Sequence, residues 1–460
     1  MQLVSLPFLL FAAITLIVYY FLARKAQNIW LLAASYFFYV TISPSYALVL
    51  FAVTAVNFYI GKKATFRFWL TLGVGLNLVS FAALKLVSGP YGPRLLPVPP
   101  EALSLLLPVG FSFYILQAIS YLVDIHNRQT DSADDFFDFA LYLTFFPKLL
   151  SGPIERPARF LADLRAARHV DASALARGVG LILVGLIRKI VIADRLTSFL
   201  PPAVFSDPAA FSSLEKVIWL LAFTFGLYND FAGYTSIARG LSALMGIELG
   251  PNFRQPFLAN SLSDFWTRWH ISLSFWLRDY VFFPTRRWLM QHRWPQLAAT
   301  ILPPLVTMLA SGYWHGTQAA MIAWGGLHGL YLVGEQLLKS KTPRPPSRLR
   351  TALSTLAVFT LTTLALILIA ASSLRAAFVY FTGLFAFTAQ VTSVIPAVDL
   401  VAAAALTLLL DWQESRHGAD AFFMKWTPTA RAWGFAAALW ILILFLGPQA
   451  SVVTFVYQGF

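Results

Sequence analysis

The chain of 460 residues has no cysteine. That excludes a disulfide, a thiolate nucleophile and a Cys-ligated metal. Charge is also scarce. Asp, Glu, Lys and Arg make up 12 % of the residues, against about 25 % in an ordinary soluble domain. With 58 % hydrophobic residues and a mean hydropathy of +0.67, a soluble globular protein is excluded. Long apolar runs take the place of charge: Leu3–Leu22, Tyr46–Gly61, Phe68–Val87 and Thr351–Ala371. Crossing a bilayer takes ~20 such residues. The pattern predicts an all-α polytopic integral membrane protein with roughly ten to twelve membrane segments, some short or re-entrant.

The net charge of +13 follows the loops and forms no nucleic-acid-binding patch. The first apolar run has no basic region before it and no small-residue cleavage site, and Arg24-Lys25 follow it directly. It reads as a retained helix with its C-terminal end in the cytoplasm. Hairpinning through Ile29–Ile42 and Tyr46–Gly61 then puts Arg24-Lys25, Lys62-Lys63-Arg67 and Arg128 on the same, inner side. The densest basic cluster, Lys339, Lys341, Arg344, Arg348 and Arg350, falls in a Pro-rich stretch. It divides the chain into a membrane body (1–338), a cytoplasmic loop (339–350) and C-terminal transmembrane helices (351–460). Orientation and contact with anionic lipid account for these charges.

Between Thr130 and Leu164 the apolar pattern fails. Asp131, Asp134, Asp135 and Asp138 offer caps to a short amphipathic stretch, and Pro147, Gly152, Pro153 and Pro157 then surround Lys148, Glu155 and Arg156. No continuous helix passes through. The segment is either broken backbone at membrane depth, which needs protein or a wet cavity around it, or an interfacial loop.

Polar groups concentrate again over 220–284. Tyr228-Asn229-Asp230-Phe231-Ala232-Gly233-Tyr234-Thr235-Ser236 interleaves rings with donors and acceptors. Ser263-Asp264 predicts the start of a helix running through Tyr280. On such a helix Asp264 faces Arg268, and His270, Ser274 and Arg278 form one polar stripe. Taken alone, that stripe reads first as a hydrogen-bonded seam between helices. His315, in Tyr313-Trp314-His315-Gly316, closes another apolar run. Ionisable side chains in or beside hydrocarbon are functional candidates by default, and imidazole moves protons near neutral pH. No carboxylate spacing completes a metal site with the two histidines. His126, His169, His292 and His417 sit among polar residues and read as loop or interfacial side chains. His328 is expected about three and a half turns beyond His315, paired with a neighbouring helix.

Trp269-His270-Ile271-Ser272-Leu273-Ser274-Phe275-Trp276-Leu277-Arg278-Asp279-Tyr280 and Trp314-His315-Gly316 resemble the two signature segments of the membrane-bound O-acyltransferases. The branch resembled acylates bacterial polysaccharides, as in alginate O-acetylation. The likeness extends to Leu6–Leu10, Pro108–Tyr114, Tyr121–Asp124, Phe146-Pro147-Lys148, Gly152-Pro153-Ile154, Asp230–Thr235 and Phe455–Phe460. Thr285-Arg286-Arg287-Trp288 and Ile369–Arg375 depart from the alginate-type pattern.

The resemblance implies a funnel-shaped helical bundle in the inner membrane, with a tunnel through it. It implies a thioester donor, acetyl-CoA or an acylated carrier protein, and no permanently bound cofactor. It also implies outward transfer toward a polysaccharide, often completed by a separate extracytoplasmic SGNH-type acyltransferase. The family's essential histidine maps onto His315 and its second active-site histidine onto His270. With cysteine absent, a covalent acyl intermediate would need Ser, Thr or His. His315 is then expected as general base and His270 as the group that positions substrate, with Ser274 and Arg278 beside it. Asn229, Asp230, Tyr234 and Trp314 are expected to line the tunnel. D-alanyl transfer to a cell-wall polymer is the alternative within this chemistry. A transporter or a non-catalytic export subunit is the alternative outside it. No inverted internal repeat supports the transporter.

Overall fold

The computed structural model describes the chain apart from residues 1–3, 97, 100, 101, 104, 169, 339–346, 389–394, 419 and 446–460. Lys339, Lys341 and Arg344 of the basic cluster, His169 and the closing Phe455–Phe460 run lie outside the described residues. Among the described residues every regular element is helical. The elements used below are α1 (Leu6–Tyr20), α2 (Arg24–Val40), α3 (Pro44–Gly61), α4 (Arg67–Ser88), α5 (Phe111–His126), α6 (Phe136–Thr144), α7 (Ala172–Leu186) and α8 (Ser213–Leu244). After them come α9 (Leu262–Arg268), α10 (Ile271–Leu277), α11 (Phe283–Gln291), α12 (Gln296–His315), α13 (Ala319–Leu338), α14 (Arg348–Ala370), α15 (Ile395–His417) and α16 (Pro428–Phe445). Five of these, α3, α4, α12, α14 and α16, are long and apolar enough to cross a membrane, and α1 is apolar but shorter.

The described residues fall into two compact units. The first gathers Met1–Ile187, Gly233–Pro251 and Phe423–Gly459. In it, Asn57 of α3 and Asn77 of α4 exchange side-chain amide bonds at 2.7 and 3.2 Å. Such a pair satisfies groups that hydrocarbon cannot. Asp135 caps α6, accepting from the Phe137 N–H at 2.6 Å. The Pro-rich segment after it is non-helical over 152–156 and almost entirely buried. Several of its polar groups are met by protein. Lys148 donates to the Tyr142 carbonyl (2.6 Å) and to the Gln117 side-chain oxygen, with the Phe160 ring 4.9 Å away. The Glu155 carboxylate accepts from the Gly250 N–H at 2.6 Å, and the Tyr234 hydroxyl accepts from the Ser151 N–H at 3.2 Å. Protein therefore surrounds the broken backbone, the condition such backbone requires.

The second unit comprises Arg188–Ala232 and Asn252–Phe422. Here the single helix expected from Ser263 through Tyr280 is broken in two. Ser261, not Ser263, caps α9, its hydroxyl accepting from the Asp264 N–H at 3.0 Å. The expected Asp264–Arg268 pair forms at 2.8 Å. The helix then stops at Trp269, which is extended, and at His270, which adopts left-handed backbone (φ 43°). That conformation costs a residue with a Cβ on the order of 1 kcal/mol. A neighbouring segment offsets the break. The Asn252 carbonyl accepts from the Ile271 N–H at 2.8 Å, and the Asn252 side-chain oxygen accepts from the Ser272 hydroxyl at 2.6 Å. Arg254 N–H reaches the Arg268 carbonyl at 3.0 Å. Sequence periodicity alone cannot show a break held from outside the helix. A π-helical turn, Arg278–Phe282, follows α10.

α12 and α13 form an antiparallel hairpin whose close approach is set by glycine. A Cβ on Gly325 would run into the Met308 carbonyl oxygen, and one on Gly312 would sit 2.5 Å from the Met321 carbonyl oxygen. Gly325 and Gly329 are four apart, the small-residue spacing that lets membrane helices touch. Gly326 faces elsewhere; a Cβ there would lie 3.6 Å from Leu309, an ordinary contact. Gly325→Ala should therefore cost about 1–3 kcal/mol and lower the thermal midpoint of the detergent-solubilised protein by several degrees. Gly326→Ala should leave the midpoint within a degree or two. Equal midpoints for the two variants would refute this account of the hairpin.

Candidate active site

The hairpin and the helix break together place the histidines. His315 is the last residue of α12, and His270 is the residue before α10. Forty-five positions apart in sequence, they both pack against one indole. The Trp314 ring is 4.8 Å from His315 and 5.8 Å from His270, edge-on to both. Both imidazoles are buried, at 1 % exposure for His270 and 5 % for His315. Phe231 of α8 packs edge-on against the other side of His270 at 4.8 Å. His270 lies outside the five candidate spans, and burial pulls its imidazole down to about 3, which keeps the ring neutral.

The series of rings continues past His315. Trp324 of α13 lies 5.1 Å from His315 and 4.9 Å from His328. Trp266 of α9 lies 5.1 Å from His328. His328 thus packs on a neighbouring helix, as expected, but stands one indole away from His315. Three histidines are interleaved with tryptophans in one buried aromatic cluster.

Ser274 and Arg278 belong to a different surface. They line a cavity of about 280 Å³ together with Trp266, Thr307, Met308 and Gln336; neither His270 nor His315 is on its wall. The Ser274 hydroxyl donates to the Trp269 carbonyl at 2.9 Å, and Arg278 pairs with Asp279 at 2.9 Å over the Phe275 ring. His270, Ser274 and Arg278 are therefore not a stripe on one helix. His270 is the cap of a helix whose later turns carry the other two residues.

Asn229 and Asp230 are engaged by cations from the segment Ile187–Asp194. Arg188 donates to the Asn229 side-chain oxygen at 3.0 Å and pairs with Asp411 (2.7 Å) and Glu414 (2.9 Å) of α15. Lys189 pairs with Asp230 at 2.7 Å and Asp194 at 2.8 Å. The Tyr228 hydroxyl donates to Asp411 at 2.9 Å, and the Asn229 amide donates to Thr407 at 2.8 Å. Arg188, Lys189, Asp230 and Asp411 are all at most 2 % exposed. Sequence reasoning took Asn229 and Asp230 as tunnel lining and passed over Arg188 and Lys189. The signal was present: two adjacent cations inside the apolar run from Leu181 to Ala193. Tyr234 lies in the first unit, on the buried Pro-rich segment. Among the described residues no three His, Asp or Glu side chains cluster as metal ligands.

Removing one member of a buried ion pair leaves its partner uncompensated, typically at about 3–5 kcal/mol. Asp411→Ala should destabilise the protein by about 3 kcal/mol, since Glu414 still faces Arg188. Asp279→Ala, whose partner Arg278 is half-exposed, should cost less than about 1 kcal/mol. Thermal unfolding of both variants in the same detergent makes the comparison, and similar losses would rule out the buried pair as the stronger tie.

Comparison with known proteins gives one family. The family model of the membrane-bound O-acyltransferases matches residues 125–378, a span that holds His270, His315 and His328. The probable alginate O-acetylase AlgI of Pseudomonas fluorescens is 35 % identical over 362 residues, covering 76 % of this chain and 69 % of that protein. The peptidoglycan O-acetyltransferase of Helicobacter pylori is 29 % identical over 362 residues, covering 68 % and 66 %. The teichoic acid D-alanyltransferase of Bacillus subtilis is 29 % identical over 230 residues, covering 49 % and 58 %.

Proposed function

The chain belongs to the membrane-bound O-acyltransferase family and is an acyltransferase, and we propose that the group it moves is acetyl. In this reading the donor is a cytoplasmic thioester, acetyl-CoA, and the transfer runs outward across the inner membrane for O-acetylation of an extracytoplasmic polysaccharide. A separate extracytoplasmic acyltransferase of the SGNH type completes the transfer. In the same reading α1 and further helices join the five candidate spans to make roughly ten to twelve membrane segments around a central funnel.

The observation that carries the reading is the placement of His270 and His315. Two buried imidazoles from distant parts of the chain both pack in T-shaped contact with one tryptophan, within the segment the family model matches. Acyl transfer from a thioester needs a base for the attacking hydroxyl, donors for the developing oxyanion and fixed substrates. His315 takes the hydroxyl proton, for which a neutral ring is required. His270, fixed by the Asn252 brace, positions the reacting group. Ser274 and Arg278 hold the donor in the adjoining cavity, where the guanidinium suits a phosphate-bearing thioester. Asn229 and Asp230 act at one remove, by fixing the stretch of α8 that carries Phe231 against His270.

The same site chemistry serves a D-alanyl thioester on a carrier protein. The likeness to a teichoic acid D-alanyltransferase makes that the second reading. Acetyl is preferred because the alginate O-acetylase match covers more of both chains.

Purified protein in detergent with radiolabelled acetyl-CoA tests the proposal. The wild type should consume the thioester, and His315→Ala should lose about 10²–10⁴-fold in rate, the range for a general base. His270→Ala should be impaired and Ser274→Ala more mildly so, with expression and membrane insertion unchanged in all three. Wild-type consumption by His315→Ala would remove His315 from the chemistry. Consumption of a D-alanyl carrier thioester in place of acetyl-CoA would select the second reading.

A further inference from the structure

Three rings behind His315 carry polar atoms with no use inside the protein. Trp266, Trp324 and His328 form a closed triangle, with centroids 4.9, 5.1 and 5.9 Å apart. Trp266 Nε1, Trp324 Nε1 and His328 Nδ1 are each buried without a hydrogen-bond partner among the described residues. Buried N–H groups are almost always satisfied. Phenylalanine would fill the space of either indole without stranding a donor. An acceptor that arrives with a ligand explains why both donors are there. The triangle also touches both parts of the site: Trp266 is on the wall of the cavity that holds Ser274 and Arg278, and Trp324 packs 5.1 Å from His315.

We propose that the indole N–H groups of Trp324 and Trp266 hold the carbonyl oxygen of the transferred acyl group and stabilise the oxyanion formed on it. The inference rests on the acyl-transfer reading above. In the step, the acceptor hydroxyl oxygen bonds to the acyl carbon while His315 takes its proton. The carbonyl π pair moves onto the oxygen, where the two N–H groups receive it. Collapse reforms the carbonyl and breaks the carbon–sulfur bond, and the leaving thiolate takes the proton from His315. Indoles suit a membrane site because they donate without bringing a charge that would itself need compensation. Donors aimed at the oxyanion strengthen as charge develops, so their loss falls on kcat more than on KM.

The test compares wild type, Trp324→Phe, Trp266→Phe and His315→Ala, using the thioester that the wild type turns over, acetyl-CoA first. Removing one such donor should lower kcat about 10²-fold, leave the donor KM within about threefold and leave the thermal midpoint unchanged. A binding measurement adds a readout independent of turnover. S-ethyl-CoA, a thioether without the carbonyl oxygen, should bind more weakly than acetyl-CoA to wild type, and each Trp→Phe change should erase that preference. If Trp324→Phe lowers the thermal midpoint, the Trp266→Phe variant and its thioether preference decide. Near-wild-type kcat in both Phe variants, with His315→Ala inactive, overturns this inference and leaves the function intact. Full turnover by His315→Ala overturns the function first, and this inference with it.

Discussion

A charge placed inside a body that is 58 % hydrophobic must find its counter-charge or its hydrogen bonds within the protein, because neither lipid nor the apolar interior supplies them. That constraint organises both units. In the second, two cations on one π-helical turn gather Asn229, Asp230, Asp194, Asp411 and Glu414 and so tie α8 to α15. In the first, Lys148 and Glu155 stand on either side of the start of the non-helical stretch, and their bonds to Gln117, Tyr142 and Gly250 hold that segment in place. Desolvation makes each network costly to assemble and more costly to leave incomplete, so it fixes the register of the helices that meet there.

The histidine cluster follows the opposite rule. Among the described residues, Phe231, Trp314, Trp324 and Tyr331 pack their rings on His270, His315 and His328. A carboxylate against an imidazole would favour the protonated ring, which cannot accept a proton from a hydroxyl. Aromatic walls bury the imidazoles while adding little polarity of their own. The second unit thus gathers one set of buried charges around Arg188 and Lys189 and its histidine rings in an adjoining aromatic packing, joined through Tyr228. One arrangement serves rigidity, and the other suits proton transfer.

How much of this was legible in the sequence depends on the distance over which each feature is specified. The apolar runs reported the spans α3, α4 and α14 almost to the residue, because a span is fixed by its own composition. Asp264 and Arg268 met as expected because four-residue spacing on a helix is local. The break at His270 was not legible. It is imposed by Asn252, eighteen positions away, and the run from Ser263 through Tyr280 reads as a continuous helix without it. Asn229 and Asp230 stood out as polar residues in an apolar stretch, yet their partners come from Arg188, Lys189 and Thr407, which no periodicity connects to them. The resemblance singled out His270 and His315. That Trp324 reaches His315 depends on the hairpin, and so on Gly312 and Gly325.

Glycine, the helix break and the buried charges therefore act as one system. The hairpin needs Gly325 to bring Trp324 level with His315, and the break needs Asn252 to turn His270 toward Trp314. The stretch of α8 that presents Phe231 to His270 is fixed by Arg188 and Lys189 at the two residues just before it, Asn229 and Asp230. Each contribution is a packing or hydrogen-bond constraint satisfied well away from the imidazoles. Together they set ring positions to a tolerance that a flexible loop could not hold. An acyl group on a soluble thioester can meet a hydroxyl in water at any time, and water competes for it there. In this protein the imidazoles lie where water is excluded, so the scaffold has to supply the positions that solvent otherwise leaves to diffusion.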